Sequence, residues 1–173
     1  MKTLFSTLLF CLAFVGMAQT NTTIPKSTSE VLTLDWQKLG NWQLANAQQN
    51  SKIGLLEFTH PGEKLDNWTE IGTCITAKDI TGSQMRTVME LMYSQAKKNN
   101  PLAKLTLIDE DLKAFYTWIL FKIEAQGESQ LFYVVQGRMN LYTNFFGVKQ
   151  PIISKEQEIK YGTFLKAAKF EYN

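Results

Sequence analysis

The chain has 173 residues, of which 45% are hydrophobic and 20% are charged, and it carries a formal net charge of +2. Charges of both signs are interspersed and no basic run exceeds Lys97-Lys98, which argues against nucleic acid as a partner. One histidine and two cysteines exclude multi-histidine metal centres, thiolate clusters and Cys-x-x-Cys redox motifs, so we expect no metal and no cofactor.

The N-terminus has the pattern of a secretory signal peptide. Lys2 precedes an apolar run over residues 4–15, and small residues end at Ala18. The run is shorter than the roughly 20 residues that span a bilayer. We therefore expect residues 1–18 to be a signal peptide cleaved after Ala18. The mature chain should then be periplasmic or secreted, without a transmembrane segment and with Cys74 as its single cysteine.

The polar residues 19–30 predict a disordered leader, and residues 31–173 predict one domain. In the first half of that domain, β-type patterns predict three strands at residues 42–46, 53–59 and 68–76. The first two of these strands should pair as a hairpin. A helix should follow, with Ser83 as its N-cap and an apolar stripe of Met85, Val88, Met89, Met92 and Ala96.

The second half of the domain predicts further strands at 102–108, 115–124 and 131–148, with a break near residue 140. Their connections are too short for parallel crossovers, so the sheet should be mainly antiparallel. Alternation places Phe115, Ile119, Phe121 and Ile123 on one face and Tyr116, Trp118 and Leu120 on the other, which predicts a sheet covered on both sides. Ser154 and Gln157 form a capping-box pattern that opens a last helix.

Together these patterns predict an α+β fold, with a mainly antiparallel sheet of about six to seven strands flanked by two amphipathic helices. The segment from Pro61-Gly62 to Asn67-Trp68-Thr69-Glu70 resembles a motif of small exported bacterial proteins of uncharacterised function. The order of elements is similar to the PsbP-like α/β/α sandwich. This resemblance implies a fold used for docking on proteins or envelope components, and it assigns no catalytic residue.

Few residues could support catalysis. Cys74 with His60 is the one nucleophile and base pair available, although a cysteine in a strand pattern is ordinarily a small core residue. Glu63 with Glu70 is the alternative carboxylate pair, but sequence proximity alone does not place two carboxyls across a cleft. A small envelope hydrolase built on either pair is therefore the alternative to a protein without enzymatic activity.

The favoured interpretation is an exported, non-enzymatic binding domain whose partner is an unidentified protein or envelope component. Candidate binding residues lie in or next to the Pro61–Glu70 loop or are aromatic residues of the strands: His60, Glu63, Trp68, Glu70, Tyr116 and Trp118, with Tyr133 and Tyr142. Trp68 has two interpretations, since its indole could anchor a partner or could close the edge of the sheet.

Overall fold

A computed structural model describes residues 29–172 of the protein. Two α-helices, α1 (Met85–Asn99) and α2 (Lys155–Lys166), and a short 3-10 helix (Trp36–Leu39) lie in this part of the chain. Its strands are β1 (Glu30–Thr33), β2 (Gln43–Gln49), β3 (Ile53–Thr59), β4 (Glu70–Ala77), β5 (Lys104–Asp111), β6 (Trp118–Ala125), β7 (Glu128–Gln136), β8 (Leu141–Val148) and β9 (Lys169–Tyr172).

Seven strands form one antiparallel sheet in the order β2-β3-β4-β8-β7-β6-β5. The β4–β8 pairing brings the two halves of the chain together, with Cys74 opposite Asn144. The remaining strands, β1 and β9, pair with each other as a separate antiparallel ribbon.

Two hydrophobic clusters cover opposite faces of the large sheet because the strand residues alternate between them. Ile119, Phe121 and Ile123 belong to the first cluster, which contains the apolar stripe of α1. Leu120, between them in β6, belongs to the second cluster, which contains Leu165 of α2. The result is a three-layer arrangement of helix, sheet and helix.

The antiparallel sheet and its two flanking helices confirm the predicted fold class. The capping box of α2 is also confirmed, since the Ser154 side chain accepts from the Gln157 backbone N–H and the Gln157 side chain accepts from the Ser154 N–H. Two local predictions are wrong. The N-cap of α1 is Gln84 and not Ser83, and Phe115 lies before β6 with 76% of its surface exposed.

The structure also contains elements that the sequence patterns did not predict, namely the β1–β9 ribbon and the 3-10 helix. The ribbon begins at Glu30, the last residue of the expected leader. The expected signal peptide, residues 1–18, lies outside the described residues.

Candidate functional site

A polar cluster of candidate residues lies at the end of β3, where the register of the β3–β4 pair brings His60 to Glu70. Phe58 pairs with Gly72, so the next residues on the same face of this antiparallel pair are His60 and Glu70. Gly62, with φ of +87°, provides the left-handed backbone that turns the chain after His60.

Both ring nitrogens of His60 face acceptors. Nδ1 lies 2.6 Å from the Asn41 carbonyl oxygen, and Nε2 lies 3.1 Å from a Glu70 carboxylate oxygen. Burial alone would lower the pKa of His60, but the Asn41 carbonyl and the Glu70 carboxylate outweigh it and raise that pKa. Because a carbonyl and a carboxylate only accept, the imidazolium satisfies both contacts, whereas the neutral ring can donate to one of them.

Helix α2 contributes two further donors to the same carboxylate. The Gln157 amide donates to Glu70 Oε1 at 3.0 Å, and the Tyr161 hydroxyl donates to Oε2 at 3.1 Å. These two residues are four apart and lie on one face of the helix. Burial, together with the neighbouring Glu70 charge, raises the pKa of Tyr161 and keeps its hydroxyl a donor. Glu70 therefore links α2 to the sheet and to the turn after β3.

Aromatic rings enclose this cluster. The Trp42 ring lies 4.4 Å from the His60 ring between centroids and meets the Tyr161 ring edge-on at 88°. The Tyr161 ring also stacks on the Phe146 ring, with ring centroids 3.6 Å apart. The His60 and Glu70 side chains nevertheless remain 30% and 23% exposed, so water reaches their edges.

Glu63 stabilises the β3–β4 connection and does not pair with Glu70. Its Oε1 accepts hydrogen bonds from the backbone N–H and the hydroxyl of Thr69, and its Oε2 accepts from the His60 N–H at 3.4 Å. Burial opposes ionisation of Glu63, but these donors outweigh it and lower its pKa. Both carboxylates are thus occupied by contacts within the loop and the helix.

The Cys74 thiol is not brought to His60. Cys74 is four residues along β4 from Glu70, a distance of about 13 Å in an extended strand, and its sulfur accepts from the Trp36 indole N–H at 3.4 Å. The residue retains some exposed surface, but burial raises the pKa of its thiol to about 12 despite that hydrogen bond. A thiol with this pKa supplies almost no thiolate at neutral pH.

Trp68 is 2% exposed and belongs to the cluster under α1, as the packing interpretation expects. Lys149 Nζ lies 4.7 Å from the centroid of its ring. A partner therefore cannot reach the face of this indole without displacing the core.

Tyr116 and Trp118 lie at the other end of the molecule from His60, against the β1–β9 ribbon and β7. The Tyr116 ring stacks on Phe170 with centroids 4.1 Å apart, and the Trp118 ring lies 5.7 Å from Tyr133. Both residues are partly buried. The candidate residues named from the sequence therefore fall into separate groups.

A cleft that the sequence patterns did not predict lies between the ribbon and the C-terminal end of α2. It encloses about 560 Å³. Its apolar lining comes from Leu34, Phe164 and Ala167, and its polar lining from Thr33, Asp35, Lys38, Lys169 and Glu171. The signals that could have found it are the β-branched and apolar residues at 31–34 and the alternation at 169–172, but the two segments that pair lie at opposite ends of the described chain.

Within residues 29–172, no three His, Cys, Asp or Glu side chains are grouped so that they could hold a metal ion. No helix in this part of the chain combines the length and hydropathy needed to cross a membrane. No known protein family matches the sequence, and none of the curated proteins matches it.

Proposed function

We propose that the protein is an exported, non-enzymatic binding domain of the bacterial envelope, and that it holds an extended peptide segment of mixed charge in the cleft beside α2. The observation that carries the proposal is the cleft itself, whose lining combines apolar residues with charged side chains of both signs. Apolar pockets with a few placed polar groups are the usual form of a binding site.

The ribbon sets the shape of this cleft. The Thr33 hydroxyl donates to the Lys169 carbonyl at 3.1 Å and to Glu171 Oε1 at 3.2 Å, which fixes the two strands side by side. Asp35 and Lys38 form an exposed ion pair at 3.4 Å on the other side. Exposed pairs of this kind are weak, so a ligand's own charges can replace them at little cost.

The chemistry at the other candidate residues supports binding over hydrolysis. His60 has no ring nitrogen free to act as a base, Glu63 and Glu70 accept from neighbouring donors, and the Cys74 thiol has a pKa of about 12. A three-layer arrangement is also what the PsbP-like resemblance implies, and we propose that the protein is related to that fold.

A titration followed by ¹H–¹⁵N NMR tests the cleft. The probe is the hexapeptide Ac-Lys-Leu-Glu-Lys-Leu-Glu-NH₂, and its matched control is Ac-Gln-Leu-Gln-Gln-Leu-Gln-NH₂. We expect the charged peptide to shift the resonances of Leu34, Ala167 and Lys169 in a saturable way, and to bind more tightly than the neutral peptide.

The variant Ala167→Trp fills the cleft from an exposed position at the end of α2, so the fold should be retained. We expect it to abolish the peptide shifts. Ala47→Trp, on the exposed edge strand β2, is the control and should leave them unchanged. Equal binding of the peptide to Ala167→Trp and to the unmodified protein would reject the cleft as the site.

A further inference from the structure

The connection between β7 and β8 presents Arg138 on a fixed backbone. The backbone N–H groups of Arg138, Met139 and Asn140 donate to the Glu30 carboxylate at 2.7, 3.3 and 3.3 Å. A Cβ at Gly137 would come within 2.1 Å of Glu30 Oε1, so glycine permits this close approach. The base of the Arg138 side chain is therefore held in one place.

Two aromatic rings hold the Arg138 guanidinium. Its central carbon lies 5.3 Å from the centroid of Phe115 and 4.9 Å from that of Tyr172. The Tyr172 hydroxyl donates to Glu30 at 3.2 Å, and the Phe115 ring packs edge-on against Tyr116 with centroids 4.7 Å apart. Contacts to ring faces position a guanidinium without using its N–H donors.

Those N–H donors have no partner within residues 29–172, where the Arg138 guanidinium forms neither a hydrogen bond nor an ion pair, and the residue is exposed. Arg86 provides the contrast, because its guanidinium makes two hydrogen bonds to the Glu110 carboxylate. Glu30 already accepts from backbone N–H groups and tyrosine hydroxyls. Among the described residues nothing accepts from the Arg138 guanidinium, which is therefore a positioned fork of N–H donors that matches a carboxylate.

An apolar surface adjoins this cation. Phe115 is 76% exposed although it contacts the guanidinium, and Leu112 in the same loop is 42% exposed. A ligand that matches both features carries a carboxylate and an apolar group a few ångströms apart. The last residue of a peptide does so, because its α-carboxylate and its side chain leave the same carbon atom.

We propose that Arg138 and Phe115 form a binding site for the C-terminal carboxylate of a partner peptide that ends in an apolar residue. The carboxylate accepts from the guanidinium N–H groups, and the terminal side chain packs on Phe115. This site is separate from the cleft beside α2, so either can fail while the other is retained.

The test uses three peptides and the purified protein, with affinities measured by ¹H–¹⁵N NMR titration. The probe is Ac-Gly-Ala-Leu-Phe with a free C-terminus, and the first control is the same peptide as its C-terminal amide. The second control, Ac-Gly-Ala-Leu-Glu-NH₂, carries its carboxylate on a side chain. We expect the free acid to bind at least fivefold more tightly than either control, with a shift of the Arg138 side-chain Nε–H resonance.

Variants assign the effect to the site. Arg138→Gln should remove the preference for the free acid, and Arg138→Lys should weaken it because an ammonium lacks the planar fork. Phe115→Ala should weaken binding of the free acid at least threefold. Arg86→Gln, which changes the other arginine of the chain, and Ala167→Trp, which fills the cleft, should leave the preference unchanged.

Several results would overturn the proposal. Equal affinity for the acid and the amide, or no binding of the acid up to millimolar concentrations, excludes a carboxylate site without the use of any variant. Equal affinity for the peptide that ends in glutamate amide excludes the specificity for a chain terminus. A preference that survives in Arg138→Gln excludes Arg138 as the anchor.

Discussion

His60 Nε2 lies 3.1 Å from Glu70, and this contact joins the end of β3 to the start of β4. Since the neighbours of His60 raise its pKa in the folded protein, the folded state binds the proton more tightly than the unfolded state does. His60 therefore contributes stability that is fully present below its unfolded pKa of about 6.5 and is lost as the pH rises through the folded value.

The chain has one histidine, so this titration can be measured without overlap from another imidazole. We expect ¹H–¹³C NMR to give a His60 pKa above that of a histidine in an unfolded peptide. We also expect the urea concentration at the unfolding midpoint to decrease as the pH is raised from 6 to 8.5. This decrease should be smaller in His60→Gln. A His60 pKa at or below the peptide value would contradict the proposed role of its two acceptors.

Tyr161→Phe tests the link between α2 and the sheet. The substitution removes the hydroxyl that donates to Glu70 and keeps the ring that stacks on Phe146. We expect a loss of about 1–2 kcal/mol in the free energy of unfolding, measured with urea at pH 6. Tyr93→Phe, which removes a longer hydrogen bond to the Ala103 carbonyl, is the control and should cost less.

Substitution by alanine should change the stability of the protein in opposite directions at two glycines, Gly72 and Gly162. A Cβ at Gly72 would lie 2.5 Å from the Trp36 ring, so Gly72→Ala should destabilise the protein by about 1–3 kcal/mol. At Gly162 in α2 the nearest atom, Leu120 Cδ2, is 3.4 Å away, and Gly162→Ala should stabilise by up to about 1 kcal/mol through helix propensity. Thermal unfolding measures both changes, and a stabilised Gly72→Ala would show that Trp36 does not pack as described.

The Cys74 thiol should be unreactive in the folded protein. With a pKa of about 12, its thiolate fraction at pH 8 is about a thousandfold below that of a free cysteine. We expect alkylation of Cys74 by iodoacetamide, followed by peptide mass spectrometry, to require urea. If Cys74 is instead alkylated rapidly in the native protein, and more slowly in His60→Ala, the result would support the hydrolase alternative.

Local patterns predicted the parts of the fold that local chemistry determines. The capping box of Ser154 and Gln157 and the alternation along β6 both depend on residues close in sequence. The sequence marks His60 and Glu70 as candidates but in different pairs, His60 with Cys74 and Glu70 with Glu63. Their contact with each other follows from the β3–β4 register, which sequence alone leaves open.

Other features depend on contacts between distant segments. Glu30 accepts hydrogen bonds from the connection before β8 and from Tyr172 in β9. These partners are 108 to 142 positions away in the sequence, so no local pattern around Glu30 predicts the contacts. Phe115 continues the alternation of β6 but lies outside the strand, because the chain between β5 and β6 turns before Trp118. Long-range pairing and the exact ends of strands are what the sequence patterns could not determine.

The pairing of β1 with β9 also has a consequence for the timing of folding. Glu30 and Tyr172 are partners in this ribbon, so the ribbon cannot close until almost the whole described chain has been synthesised. Contacts of such large sequence separation form late, because closing a long loop is entropically costly. A polypeptide still emerging from a ribosome or a translocation channel therefore lacks the cleft, and the peptide binding that we propose for the cleft should arise only after β9 has emerged.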